Sequence, residues 1–112
     1  MAVEIANLVH AMAVVNDSGL QYESNSGFTG PVANPGVGQY NLTLAEPVPV
    51  GADTVPHVVV QVTHDTSAPR IVGGYVDSTG TIVVCTFADA AGAPAAAGVF
   101  FVTVLRFPVL GS

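Results

Sequence analysis

The side chains that could do chemistry in this chain are three histidines, one cysteine and eight carboxylates, and few of them fall close together. His57 and His64 stand at the two ends of a valine-rich stretch. Their odd spacing sends them to opposite faces of a straight strand, so they cannot chelate one metal ion. His64-Asp65 could be half of a ligand pair, or a base with an orienting carboxylate, but it sits at a strand end, where polar residues ordinarily collect. His10 lies in an apolar stretch and reads as a hydrogen-bonded wall residue. Cys85 has no cation beside it in sequence and lies in a dense apolar run, an environment that raises a thiol's pKa and makes it a poor nucleophile.

Serines occur mainly in turns, and the chain carries no G-x-S-x-G elbow, P-loop or dinucleotide fingerprint. Asn41-Leu42-Thr43 matches a glycosylation acceptor but falls inside a strand, and we read it as chance. Single aspartates in Gly/Asp turns do not compose a D-x-D-x-D-G calcium loop. Tyr22, Phe28 and Tyr40 bracket a glycine-rich segment and could stack a sugar ring or anchor a partner, while hairpin packing accounts for them about as well. No catalytic, cofactor-binding or metal-binding residue is assigned, no cofactor is expected, and the chain is not read as an enzyme.

Composition points the same way. Hydrophobic residues make up 50% of the 112 positions and charged residues 9%, against about 25% charged in an ordinary soluble domain. A lone copy so poor in charge would expose broad neutral or apolar surface, which marks an interaction site. The net charge of −6 comes from Glu4, Asp17, Glu23, Glu46, Asp53, Asp65, Asp77 and Asp89 against Arg70 and Arg106, with no lysine. Nucleic acid and anionic membrane surfaces both call for clustered cations, so neither is an expected partner. The N-terminus lacks the basic start of an export signal, and one cysteine makes no internal disulfide. Synthesis in a reducing cytoplasm fits both.

The elements that must position these residues read as strands. Blocks rich in Val, Thr, Tyr and Phe alternate with Gly, Pro, Asn and Asp clusters, which predicts seven or so short strands and no helix. Val3 to Val15 is ambiguous, since its Ala, Leu and Met would suit a helix, but Asn7 and His10 interrupt an apolar helical face and it is read as a strand. Strands are also expected from Leu20 to Glu23, over Gln39 to Leu44, His57 to His64, Arg70 to Val76, Thr81 to Ala88 and Val99 to Phe107. Asn16-Asp17-Ser18-Gly19 is expected to turn with its glycine at positive φ. Gly73 and Gly74 suggest a bulge or a close backbone approach. Residues 24–38, with four glycines and two prolines, read as a long loop or a poorly regular excursion. The whole chain, 1–112, is taken as one antiparallel β-sandwich or jelly-roll domain. Because the late strands are apolar on both faces, one face must meet something other than the opposite sheet. Val59, Val83, Phe87, Phe101, Leu105 and Phe107 are the candidates for that contact.

Gly36-Val37-Gly38-Gln39-Tyr40-Asn41-Leu42-Thr43-Leu44, the Val58 to Val62 strand, Val83-Val84-Cys85-Thr86-Phe87-Ala88-Asp89-Ala90-Ala91-Gly92-Ala93-Pro94 and Phe100-Phe101-Val102-Thr103-Val104 together resemble a small β domain of bacteriophage virion proteins. The pattern looks like a tumour-necrosis-factor-like jelly roll. The resemblance implies a homo-oligomer, with a trimer favoured, located in the virion. It implies a decoration or cement role against the major capsid protein or another virion protein, or alternatively a receptor- or glycan-binding head of a phage fibre. No catalytic residue comes with it.

Overall fold

The computed structural model describes residues 8–48, 57–65 and 68–107, and every regular element among them is a β-strand. In chain order these are β1 (Val9–Asn16), β2 (Gln21–Ser26), β3 (Phe28–Gly36), β4 (Gln39–Leu44), β5 (His57–Asp65), β6 (Ile71–Val76), β7 (Ile82–Ala88) and β8 (Val99–Phe107). They form two four-stranded sheets: sheet A in the order β2-β1-β8-β5 and sheet B in the order β3-β4-β7-β6. All the pairings are antiparallel. The two-layer antiparallel sandwich expected from the sequence is the fold this chain forms.

Period-two alternation explains the layers. In β4, Tyr40, Leu42 and Leu44 are buried while Gln39, Asn41 and Thr43 are half-buried on the other face. In β8, Phe100, Val102 and Val104 go inward, and β1 meets them with the smaller Ala11, Ala13 and Val15. From sheet B come Val83, Cys85 and Phe87 of β7, which pack into the same core. At its centre the rings of Tyr40, Phe87 and Phe100 lie with centroids 5.0 to 5.6 Å apart in edge-on and tilted contacts. Each such ring removed from water stabilises the fold by about 1.5–3 kcal/mol.

Several boundaries differ from the sequence expectation. β1 begins at Val9, and residues 3–7 of the expected first strand lie outside the described residues. The first turn puts its positive φ, 49°, at Leu20 and not at Gly19. Residues 24–38 are not a loop: they hold the end of β2 and all of β3. Asn25 makes this possible, since its amide donates to the Phe28 carbonyl at 3.0 Å and its oxygen accepts from the Phe28 N–H at 3.0 Å. That clasp turns the chain from one sheet to the other, and buried Phe28 and Val32 anchor β3 beyond it. Pro31 and Pro35 are tolerated because β3 is an edge strand. Their trace is two register shifts against β4, so the segment is irregular though paired.

Close approaches at Gly38 and Gly74 tie the elements together. Gly38, in the β3–β4 turn, has φ of 77°, and a Cβ there would run into the Phe87 carbonyl oxygen. Its own carbonyl accepts from the Phe87 N–H at 2.7 Å, which ties the turn to β7. Gly74 of β6 makes room for β5: a Cβ there would lie 2.7 Å from Val62 Cγ2 and 2.9 Å from Val60 Cγ1. The close approach expected near Gly73 and Gly74 is therefore the place where the edges of the two sheets meet.

Candidate functional site

The outer face of sheet A gathers apolar side chains from three strands. Direct cross-strand pairing sets Val14 beside Phe101, Met12 beside Thr103 and Val9 beside Leu105. On the other flank of β8, Thr63 pairs with Phe101, Gln61 with Thr103 and Val59 with Leu105. Residues directly opposite in a ladder share a face, so these nine side chains form one surface, apolar along the Leu105 row and at Val14, Phe101 and Met12, polar at Gln61, Thr63 and Thr103, and uncharged throughout. Met12 is 49% exposed, Val59 40% and Phe101 39%, large values for apolar side chains at the middle of strands. Leu105 and Phe107 are half-buried.

Of the residues proposed for a partner contact, Val59, Phe101, Leu105 and Phe107 belong to this face. Val83 and Phe87 do not: at 0% and 2% exposure they face the opposite sheet and are unavailable to a partner. β7 is apolar on both sides, Val83, Cys85 and Phe87 on one and Ile82 and Val84 on the other, so its pattern does not say which side is inside. Met12 and Val14 were missed. Their signal is the alternation of β1, in which small Ala11 and Ala13 are inward and the larger neighbours outward.

The aromatic trio is not a ligand platform. Phe28 and Tyr40 are buried, and Tyr22 stacks on Phe28 with centroids 6.1 Å apart. The Tyr40 hydroxyl instead completes a clasp. It accepts from the Ala97 N–H at 3.1 Å and donates to Asp17 Oδ2 at 3.1 Å, and the same carboxylate oxygen accepts from the Gly98 N–H at 2.9 Å. Burial, the largest effect, holds the Tyr40 phenol above its usual range, with the Asp17 charge and hydrogen bond acting in the same direction against the Ala97 N–H.

Tyr22 and His64 behave differently. The Tyr22 hydroxyl and His64 Nδ1 are buried without a hydrogen-bond partner among the described residues. Burial, with a smaller contribution from Cys85, pushes the Tyr22 phenol up to about 12. His10 is a wall residue, as expected, its Nε2 lying 2.6 Å from the Glu46 carbonyl oxygen. Cys85 is fully buried, which pushes its thiol up to about 12 and keeps it protonated. Asp77 shapes the β6–β7 hairpin. The Thr79 hydroxyl and the N–H groups of Ile82 and Thr81 donate to its Oδ1 and hold its carboxyl below the usual range. Among the described residues no three His, Cys, Asp or Glu side chains come together in a group that could hold a metal ion.

A shallow cleft of about 350 Å³ opens on sheet B between the β3–β4 turn, β6 and the segment after β7, lined in part by Val37, Gln39, Ile71, Gly73, Thr86 and Pro94. Among the described residues no side chain lining it is charged.

Fold and surface thus define an all-β two-layer sandwich that exposes apolar side chains on both outer faces, Met12, Val59 and Phe101 on sheet A and Ile71 and Tyr75 on sheet B, with those of sheet A drawn from three adjacent strands. No family model, curated protein or solved structure matches the chain.

Proposed function

We propose that this chain is a non-enzymatic structural module that stabilises an assembly by burying the outer face of sheet A against copies of itself or the surface of a larger shell. The observation that carries this reading is the uncharged face built from Met12, Val14, Val59, Phe101 and Leu105. Covering it removes apolar area from water at about 25 cal/mol per Å². A module that binds only the assembled state holds that state together by mass action. A virion surface, with a decoration or cement role, is the setting that the sequence resemblance favours. The alternative of a glycan-binding fibre head loses its aromatic platform, since Phe28 and Tyr40 lie in the core.

Light scattering coupled to size exclusion, on the wild-type chain and on Phe101→Glu, tests the association. The wild type is expected to run as an oligomer, and the variant to remain folded and run smaller, because a carboxylate buried without a partner at the centre of the contact costs several kcal/mol. An unchanged mass for Phe101→Glu would remove the face from the reading. The setting is tested by incubation with assembled phage capsids: saturable binding and a raised disruption temperature support it, and absence of saturable binding counts against it.

A further inference from the structure

Each sheet of an open sandwich ends in two strands whose outer backbone groups lack a ladder partner, and folded proteins ordinarily blunt such edges. Two of the four edges here, β3 and β2, are blunted, and a third, β6, is shorter than β5 and weakened by glycine. β3 carries Pro31 and Pro35 and two register shifts. β2 is six residues long, is mostly polar with exposed Glu23, and meets β1 through a register shift. β6 is also six residues long and holds Gly73 and Gly74. β5 is different: its nine residues, His57-Val58-Val59-Val60-Gln61-Val62-Thr63-His64-Asp65, keep unbroken register with β8 from His57↔Phe107 to Asp65↔Val99. It contains no proline, glycine or lysine and no bulge, and among the described residues nothing pairs with its other edge.

We propose that the free edge of β5 pairs antiparallel with β5 of a second copy about a two-fold axis through Gln61. This contact uses the backbone edge and not the outer face, so it stands whether or not that face is covered. The strand is complementary to itself in this register. Val60 falls opposite Val62, Val59 opposite Thr63 and Val58 opposite His64, while position 57, a histidine, falls opposite position 65, an aspartate. At the axis Gln61 meets its own copy, and an amide carries both a donor and an acceptor, so the two side chains satisfy each other. From position 58 to position 64 no charged side chains of like sign meet along the pair. Nine residues of ladder join two four-stranded sheets into one of eight strands, with the uncharged outer face of sheet A continuing from one copy to the next. Closed two-fold contacts of this kind use the same patch on both partners.

Gln61 is exposed, so charging it spares the core. Gln61→Lys and Gln61→Glu each set like charges face to face at the axis, and each alone is expected to raise the dimer dissociation constant about tenfold or more. An equimolar mixture of the two variants is expected to restore the wild-type mass, because lysine then faces glutamate. Sedimentation of the wild type, each variant and the mixture reads all four states. A wild type that stays monomeric at millimolar concentration, a single variant that keeps the wild-type mass, or a mixture that fails to re-associate would each overturn the proposal. Phe101→Glu separates this contact from the outer-face reading. If it leaves the mass unchanged while the charged pair behaves as expected, the face reading fails and the edge stands. If it dissociates the protein while Gln61→Lys does not, the edge fails and the face stands.

Discussion

Two tyrosines in this molecule have opposite consequences for stability. The Tyr40 hydroxyl is spent on Ala97 and Asp17, linking the β1–β2 turn, β4 and the segment leading into β8. Tyr40→Phe leaves the Ala97 N–H and one lone pair of Asp17 unmatched, so a loss of about 1–3 kcal/mol is expected in urea unfolding. The Tyr22 hydroxyl is buried without a partner among the described residues. Tyr22→Phe removes that group and keeps the ring on Phe28, so thermal unfolding should show a gain of up to about 1 kcal/mol, or roughly 4 °C. A destabilised Tyr22→Phe would show that the hydroxyl has a partner after all. That Tyr40 points inward is legible in sequence from its alternation with Leu42 and Leu44. Its bonding to Ala97, 57 positions away, is not, because a hydrogen bond between distant segments leaves no local pattern. Asp17 for the same reason reads as an ordinary turn residue.

At the scale of elements, β4, β5 and β8 could be read almost residue by residue, since alternation and turn clusters bound them on both sides. β3 could not. Gly30, Pro31, Pro35 and Gly36 have the composition of a loop, and the strand exists because Phe28 and Val32 find core positions and because an edge tolerates missing donors. The turn after β3 depends on Gly38, where a left-handed backbone and the nearby Phe87 carbonyl both exclude a side chain. Gly38→Ala is expected to cost about 2–4 kcal/mol, combining the penalty of positive φ with a clash against backbone that cannot move aside. Gly30→Ala makes the control: its φ of 71° is similar, but nothing lies within 4 Å of the added carbon, so only the conformational part of the loss should appear. Equal losses in chemical denaturation would mean that the contact with Phe87 adds nothing.

For the whole molecule, two apolar faces on the late strands indicate that something covers the sheet, but alternation alone does not tell which face of β7 is inside. Val83 and Phe87 read as partner-facing for that reason, and only the register of β7 on β4, with Val83 beside buried Leu42 and Cys85 beside buried Tyr40, puts their side of the strand in the core. A core made this way has a dependence on alkaline pH whose sign follows from burial. Cys85 has its thiol raised from 9.0 to about 12, Tyr22 its phenol from 10.0 to about 12, and Tyr40 is raised as well. In each case the folded chain prefers the neutral form, so the unfolded chain releases its proton first as pH rises. The stabilisation is fully present below the unfolded values near 9 and 10 and is lost as pH climbs through the folded values near 12. The midpoint of urea unfolding is therefore expected to hold up to about pH 8 and to fall steadily from about pH 9 to 12. Cys85, fully buried and shifted furthest, carries the largest part of that slope. Cys85→Ala should thus lower the midpoint at about pH 8 through lost packing and yet flatten its decline above about pH 9. A decline as steep as that of the wild type would assign the alkaline loss to the tyrosines and show that the thiol ionises inside the folded core.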